Sequence, residues 1–103
     1  MKILYEREKY KVYQCEKCGC RQKIYGNKVP ESCIAVDCEN YGYGKDEGNS
    51  KLVELREKYI GKRIKDESEF IIADFLDLET VVLLDIAGFY PVVLEVSELK
   101  LED

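Results

Sequence analysis

Five cysteines fall between residues 15 and 38, and no other stretch of the chain concentrates ligand chemistry to that degree. They are spaced as Cys15-x2-Cys18, then fourteen residues, then Cys33-x4-Cys38, with Cys20 left over. A Cys-x2-Cys turn brings two thiolates onto one metal and points backbone N–H groups at the sulfurs. Gly19, directly after Cys18, suits the left-handed backbone such a turn needs. The fourteen-residue spacer has room for a strand and a turn that return the second pair to the first. The spacing therefore predicts one zinc ion held by Cys15, Cys18, Cys33 and Cys38. Four protein ligands fill a tetrahedral zinc and leave no position for water, so the expected role is structural.

Three other readings of the same cysteines stand beside this one. Cys15 and Cys20 form an x4 pair that matches Cys33 and Cys38, which would make Cys18 the spare. A thioredoxin-like redox pair of Cys15 and Cys18 leaves the second cluster unexplained, and no βαβ pattern surrounds it. Iron held as in rubredoxin would use two x2 turns, whereas this chain has one. Five cysteines cannot all pair as disulfides within one chain, and zinc remains the favoured cofactor. On these residues, the first part of the chain resembles a zinc ribbon.

The elements that must position the thiolates flank them. Lys9, Lys11 and Tyr13 alternate before the first pair, and Arg21, Lys23 and Tyr25 alternate after it. Read as a hairpin, these six residues form one basic and aromatic face, with Tyr10, Val12, Gln14, Gln22 and Ile24 on the other. Such a face can stack on bases and neutralise phosphates, or meet an acidic protein surface. It can also be simply solvated, or dock on the acidic second half of the same chain. Tyr41-Gly42-Tyr43-Gly44 offers either a recognition loop or a tyrosine packed over the metal turn.

Residues 39 to 50 are rich in glycine and polar groups and read as a boundary. Beyond them Leu52, Leu55 and Tyr59 recur at helical spacing, with Ser50 placed to cap the helix and Gly61 to stop it. Strands follow over Phe70 to Leu76, Thr80 to Asp85 and Tyr90 to Val96. Asp77-Leu78-Glu79 and Ala87-Gly88 supply turns, and Pro91 belongs at the start or on an edge of the last strand. Strict alternation over Phe70 to Phe75 puts apolar groups on both faces, which predicts a rolled or covered sheet. From Tyr59-Ile60-Gly61-Lys62-Arg63-Ile64 to Val96-Ser97-Glu98-Leu99, the succession of opening strand, hairpin, turn and closing strand resembles a small SH3-like barrel. That resemblance implies a scaffold for protein or nucleic-acid contacts; the absence of tryptophan and of an acidic-aromatic groove argues against proline-rich ligands.

The expected fold is mostly β (a small α+β chain). It comprises a zinc-ribbon-like module over 1–44, a linker with a short helix over 45–60, and an SH3-like barrel over 61–103. In 103 residues, modules this small bury too little surface to be comfortable alone, so a metal staple is expected. Residues 1 to 60 carry a formal +2 and residues 61 to 103 carry −7. A four-thiolate zinc adds −2 and brings the first half near neutrality, which excludes generic DNA binding through bulk charge. No histidine is present, which removes Ser-His and Cys-His catalysis. Asp74, Asp77, Glu79 and Asp85 gather around a turn, where carboxylates are ordinarily solvated. The beginning of the chain has no secretory pattern, and no apolar run approaches the ~18 residues of a membrane span, so a cytoplasmic setting is expected. The resulting expectation is a non-enzymatic module binding a protein partner, with no membrane or small-molecule substrate. Nucleic-acid binding through the hairpin face is the alternative, and a redox or hydrolytic enzyme a distant third.

Overall fold

A computed structural model describes residues 2–25, 30, 32–64, 67–85 and 90–99. Seven strands form one mixed sheet: β1 (Lys2–Glu6), β2 (Tyr10–Gln14), β3 (Arg21–Tyr25), β4 (Arg63–Ile64), β5 (Glu67–Phe75), β6 (Thr80–Asp85) and β7 (Val92–Glu95). One α-helix, α1 (Ser50–Tyr59), precedes β4, and a short 3-10 turn, Val96–Glu98, follows β7. The spatial order is β1-β2-β3-β7-β6-β5-β4. Every pairing is antiparallel except β3 with β7, which run parallel through Lys23–Val92 and Ile24–Val93. That one pairing carries the sheet from the cysteine-bearing hairpin into the second half of the chain. Among the described residues, no pairing closes the last four strands into a barrel; β1 and β4 are the two ends.

The helix forms where the spacing of Leu52, Leu55 and Tyr59 predicts. Its cap is Asn49, however, whose side chain accepts from the Lys51 N–H at 2.9 Å; Ser50 is the first helical residue. Asparagine and serine cap about equally well, so the sequence alone does not choose between neighbours. Gly61 stops the helix, with a φ of +89 that favours glycine. Asn49→Ala is expected to lower stability by about 1 kcal/mol, a loss readable by urea unfolding of the metal-loaded protein.

β6 occupies the expected run, β5 begins three residues before its expected start at Phe70 and ends at Phe75, and the departure from strict alternation is informative. Pairing slips between Ile72 and Asp74, so one extra residue bulges there and resets the faces. Phe70, Ile72 and Phe75 consequently share one face instead of dividing as alternation predicts. They pack with Leu52 and Tyr59 of α1 and with Ile64, Val81, Leu83 and Val92, forming the main core. Val93, the neighbour of Val92, points to the opposite face and meets Tyr13, Ile24 and Ile34. Each face thus has its own cover: the helix on one, the segment after Cys33 on the other.

Turns and ties follow from short polar side chains. At the β5–β6 turn the buried Asp77 accepts from the Glu79 N–H at 2.9 Å, and Asp46 accepts from the Leu78 N–H at 2.9 Å. Arg56 donates to the Phe75 carbonyl, grips both Glu47 oxygens at 2.7 and 3.1 Å, and lies 3.2 Å from Asp74. The Arg56 hydrogen bonds hold the Glu47 carboxyl below its ordinary pKa. Pro91 sits just before β7, a central strand, and so takes the start position and not an edge; its carbonyl accepts from the Lys23 N–H at 2.8 Å. The Ala87-Gly88 turn lies outside the described residues.

Candidate metal centre

β2 and β3 end and begin at Gln14 and Arg21, and the six residues between them form the first cysteine turn. It closes through Cys15 N–H to the Cys20 carbonyl and Gly19 N–H to the Cys15 carbonyl, both 2.9 Å. Gly19 has a φ of +78, the left-handed conformation expected after Cys18. The second turn is tied by Cys38 N–H to the Ala35 carbonyl at 3.0 Å and Cys33 N–H to the Asn40 carbonyl at 2.8 Å. Cys33 also bridges to Tyr41, the start of the glycine-tyrosine loop.

These two turns bring the Sγ atoms of Cys15, Cys18, Cys33 and Cys38 within 4.8 Å of one another. Cys15 and Cys38 are 3.7 Å apart and Cys18 and Cys33 3.5 Å, with no disulfide among the five cysteines. A tetrahedral ion with metal–sulfur bonds of about 2.3 Å requires sulfurs about 3.8 Å apart. The four cysteines can therefore hold one metal ion, and they are the four that the spacing selects. Cys20 is outside the group, its Sγ turned 3.9 Å from the Arg21 carbonyl.

The surroundings favour anionic sulfur unevenly. The backbone N–H groups of Cys18 and Lys17 face Cys15 and lower its thiol to about 6, and Asn40 adds a side-chain N–H at 3.7 Å. Burial pushes the Cys33 thiol far above its usual range, although the Ala35 N–H points at it from 3.4 Å. Four adjacent thiols cannot all ionise cheaply without a cation between them, and a divalent ion removes that conflict. The N–H donors from Ala35 and Asn40 were not legible as site residues, although each lies two positions after a cysteine, where such donors recur.

The glycine-tyrosine loop is folded onto this turn. Tyr41 is half-buried and meets Tyr43 edge-on at 5.9 Å. A Cβ on Gly42 would collide with the Ser32 side chain, immediately before Cys33. Gly42→Ala is therefore expected to cost about 1–3 kcal/mol by overpacking and to loosen metal retention against a chelator, while Gly48→Ala, which meets no neighbour but strains the backbone at a φ of +88, leaves retention unchanged.

The basic and aromatic residues are arranged differently from the expected single face. Tyr13 pairs with Gln22 and Lys11 with Ile24, whereas Val12 pairs with Lys23, Tyr10 with Tyr25 and Gln14 with Arg21. Directly opposed residues share a face, so Lys11 and Tyr13 lie on one side and Arg21, Lys23 and Tyr25 on the other. Lys9 lies in the turn before β2. Tyr13 is buried in the second cluster, and Lys23 is buried with its ammonium 4.4 Å from the centre of the Tyr10 ring. Tyr10 and Tyr25 meet edge-on at 5.5 Å, and Arg21 donates to the Tyr90 hydroxyl at 3.0 Å. Asp77 builds its turn, Glu79 pairs with Lys45 at 2.9 Å, and Asp74 pairs with Arg56.

Among the described residues, no helix is long and apolar enough to cross a membrane. The chain matches no protein-family model, and no curated protein or solved structure is significantly similar to it.

Proposed function

We propose that this chain is a non-catalytic binding module, stapled by one zinc ion, that works as a small adaptor or regulator on a larger protein or nucleoprotein assembly. The observation that carries the proposal is the closed set of four sulfurs. Cys15, Cys18, Cys33 and Cys38 occupy all positions of a tetrahedral ion, which suits a staple and leaves no site for a reacting water. Zinc fits an all-thiolate tetrahedral set in a reducing, cytoplasmic setting. In this reading residues 1–44 act as a zinc-ribbon-like module, with one cysteine turn at the tip of the β2–β3 hairpin and the second turned to face it. The SH3-like description of residues 61–103 does not carry the proposal, because a fold does not select a ligand.

A protein partner is favoured over nucleic acid by how the cations are engaged. Lys23 is buried on Tyr10, the exposed Arg21 is held by the Tyr90 hydroxyl and ring, and Arg7 lies 4.5 Å from the Tyr5 ring centre. The second half contributes a formal −7. One observation keeps the nucleic-acid reading alive: cross-strand pairing puts Tyr5, Tyr10 and Tyr25 on the same face as Arg21 and Lys23. Fluorescence anisotropy of the metal-loaded chain with single-stranded DNA and RNA at low and raised salt separates the two readings. The proposal expects no specific retention of either strand and partner-protein capture that survives raised salt and is lost on metal removal. Tight oligonucleotide binding that weakens steeply with salt, as counterion release dictates, would replace it with the alternative.

A further inference from the structure

Several cations of this chain have carboxylate partners: Lys11 lies 3.8 Å from Glu6, Lys45 2.9 Å from Glu79 and Arg56 2.7 Å from Glu47. The face of the first three strands that carries Tyr5, Tyr10 and Tyr25 is different. β2 and β3 contain no carboxylate, and Glu6 of β1 is turned to the opposite face, across from Lys11. Lys2 and Arg21 flank Gln14 on the tyrosine face, and Lys23 stands beside Val12 on the same face. Arg7 reaches it at the Tyr5 ring. Among the described residues, none of these four cations pairs with a carboxylate.

Lys23 decides the reading. It is 7% exposed, and its ammonium lies 4.4 Å from the centre of the Tyr10 ring. Burying a charge is costly unless a counter-charge or hydrogen bonds satisfy it, and a ring face offsets only part of that cost. The ammonium therefore lacks the anion that a lysine so placed calls for.

We infer that this face, centred on Lys23 and Arg21, is the docking surface for an acidic segment of the partner protein, whose carboxylates supply the missing counter-charges. The inference rests on the adaptor reading and gives it a surface and a partner chemistry. Arg21 is held at the Tyr90 hydroxyl at 3.0 Å, so its guanidinium is already positioned and keeps further N–H groups for a carboxylate. A carboxylate that reaches Lys23 leaves water, and such a pair is screened by salt less than one on an open surface. Nucleic acid is disfavoured at the same place. Stacking of bases uses open ring faces, whereas Tyr5 and Tyr10 each have a cation of their own chain against the ring, and Tyr10 meets Tyr25 at 72°.

Amide NMR of the metal-loaded full chain tests this by titration with a blocked hexaglutamate peptide to about 5 mM, and with hexauridylate in parallel. Saturable shifts from the peptide are expected at Tyr5, Tyr10, Arg21, Lys23 and Tyr25. Arg21→Glu is expected to weaken the peptide about tenfold, while Lys51→Glu, the same change of net charge on an exposed residue of α1, leaves it unchanged. Lys23→Met removes the ammonium and keeps an apolar stem, so peptide binding falls about tenfold while the urea midpoint holds or rises, as it does when an uncompensated buried charge is removed. No saturable shifts over that range, or binding indifferent to both Arg21→Glu and Lys23→Met, would overturn the inference and leave the adaptor reading to another surface. Hexauridylate bound more tightly than the peptide would overturn it together with the preference for a protein partner.

Discussion

Cys33→Ser is expected to empty the metal centre and release the two cysteine turns, residues 15–20 and 32–44, from their fixed conformation while the sheet survives. Cys33 is fully buried, and its sulfur lies 3.5 Å from that of Cys18. The segment from Ser32 to Asn49 contains no described strand or helix, only an isolated bridge at Tyr41 and the turns around the cysteines. Apart from Ile34 against the second cluster, little besides the sulfurs fixes its Ser32–Gly44 part, whereas Lys45, Asp46 and Glu47 are tied to Glu79, Leu78 and Arg56. Structural zinc in small peptides contributes on the order of 10 kcal/mol at neutral pH, far more than such turns can supply. Cys20→Ser is the control, since Cys20 stands outside the group, and it is expected to retain the metal. Amide hydrogen exchange checks both: protection vanishes across 15–20 and 32–44 in Cys33→Ser, persists in β5 and β6, and is unchanged in Cys20→Ser.

Phe75→Ala is expected to produce the complementary failure, costing about 3–5 kcal/mol through loss of the main core while leaving the metal bound. Phe75 is fully buried, its ring 6.4 Å from that of Tyr59, and it packs with Leu52, Ile72, Val81 and Leu83. Truncation opens a cavity between α1 and β5 that these neighbours can only partly fill. Its backbone carbonyl still accepts from Arg56, so the loss reports packing and not that tie. Urea unfolding with the midpoint lowered and the slope unchanged, together with undiminished metal content in the native baseline, is the expected result. The two variants together separate the staple from the core.

What could be read from residues alone follows the range of the interaction. The four sulfurs, the glycine behind Cys18, the helix of Leu52, Leu55 and Tyr59, and the β5 and β6 runs are all set by local spacing. The parallel pairing of β3 with β7 is not, because Ile24 and Val93 are joined across almost seventy residues that carry no local mark of each other. β1 was missed for a related reason: Lys2 to Glu6 has no clean alternation, and it gains its place only by pairing with β2.

The misassigned face of the hairpin has a more specific origin. Six residues separate the paired Gln14 and Arg21, and this loop length puts Tyr13 opposite Gln22. A register different by one residue would have joined the lysines and tyrosines as expected, and a one-residue slip exchanges the faces of a whole strand. The bulge between Ile72 and Asp74 has the same effect within β5, returning Phe75 to the side of Phe70 and Ile72. In both places the composition of the strand was legible and its phase was not.

The central claim, one zinc held by Cys15, Cys18, Cys33 and Cys38, is tested most directly by zinc K-edge X-ray absorption on the purified chain with its metal counted by native mass spectrometry. The account predicts one zinc per chain with four sulfur neighbours at about 2.3 Å, unchanged in Cys20→Ser. A metal-free chain that keeps residues 15–20 and 32–44 protected, or a zinc bound by oxygen or nitrogen neighbours, would contradict it.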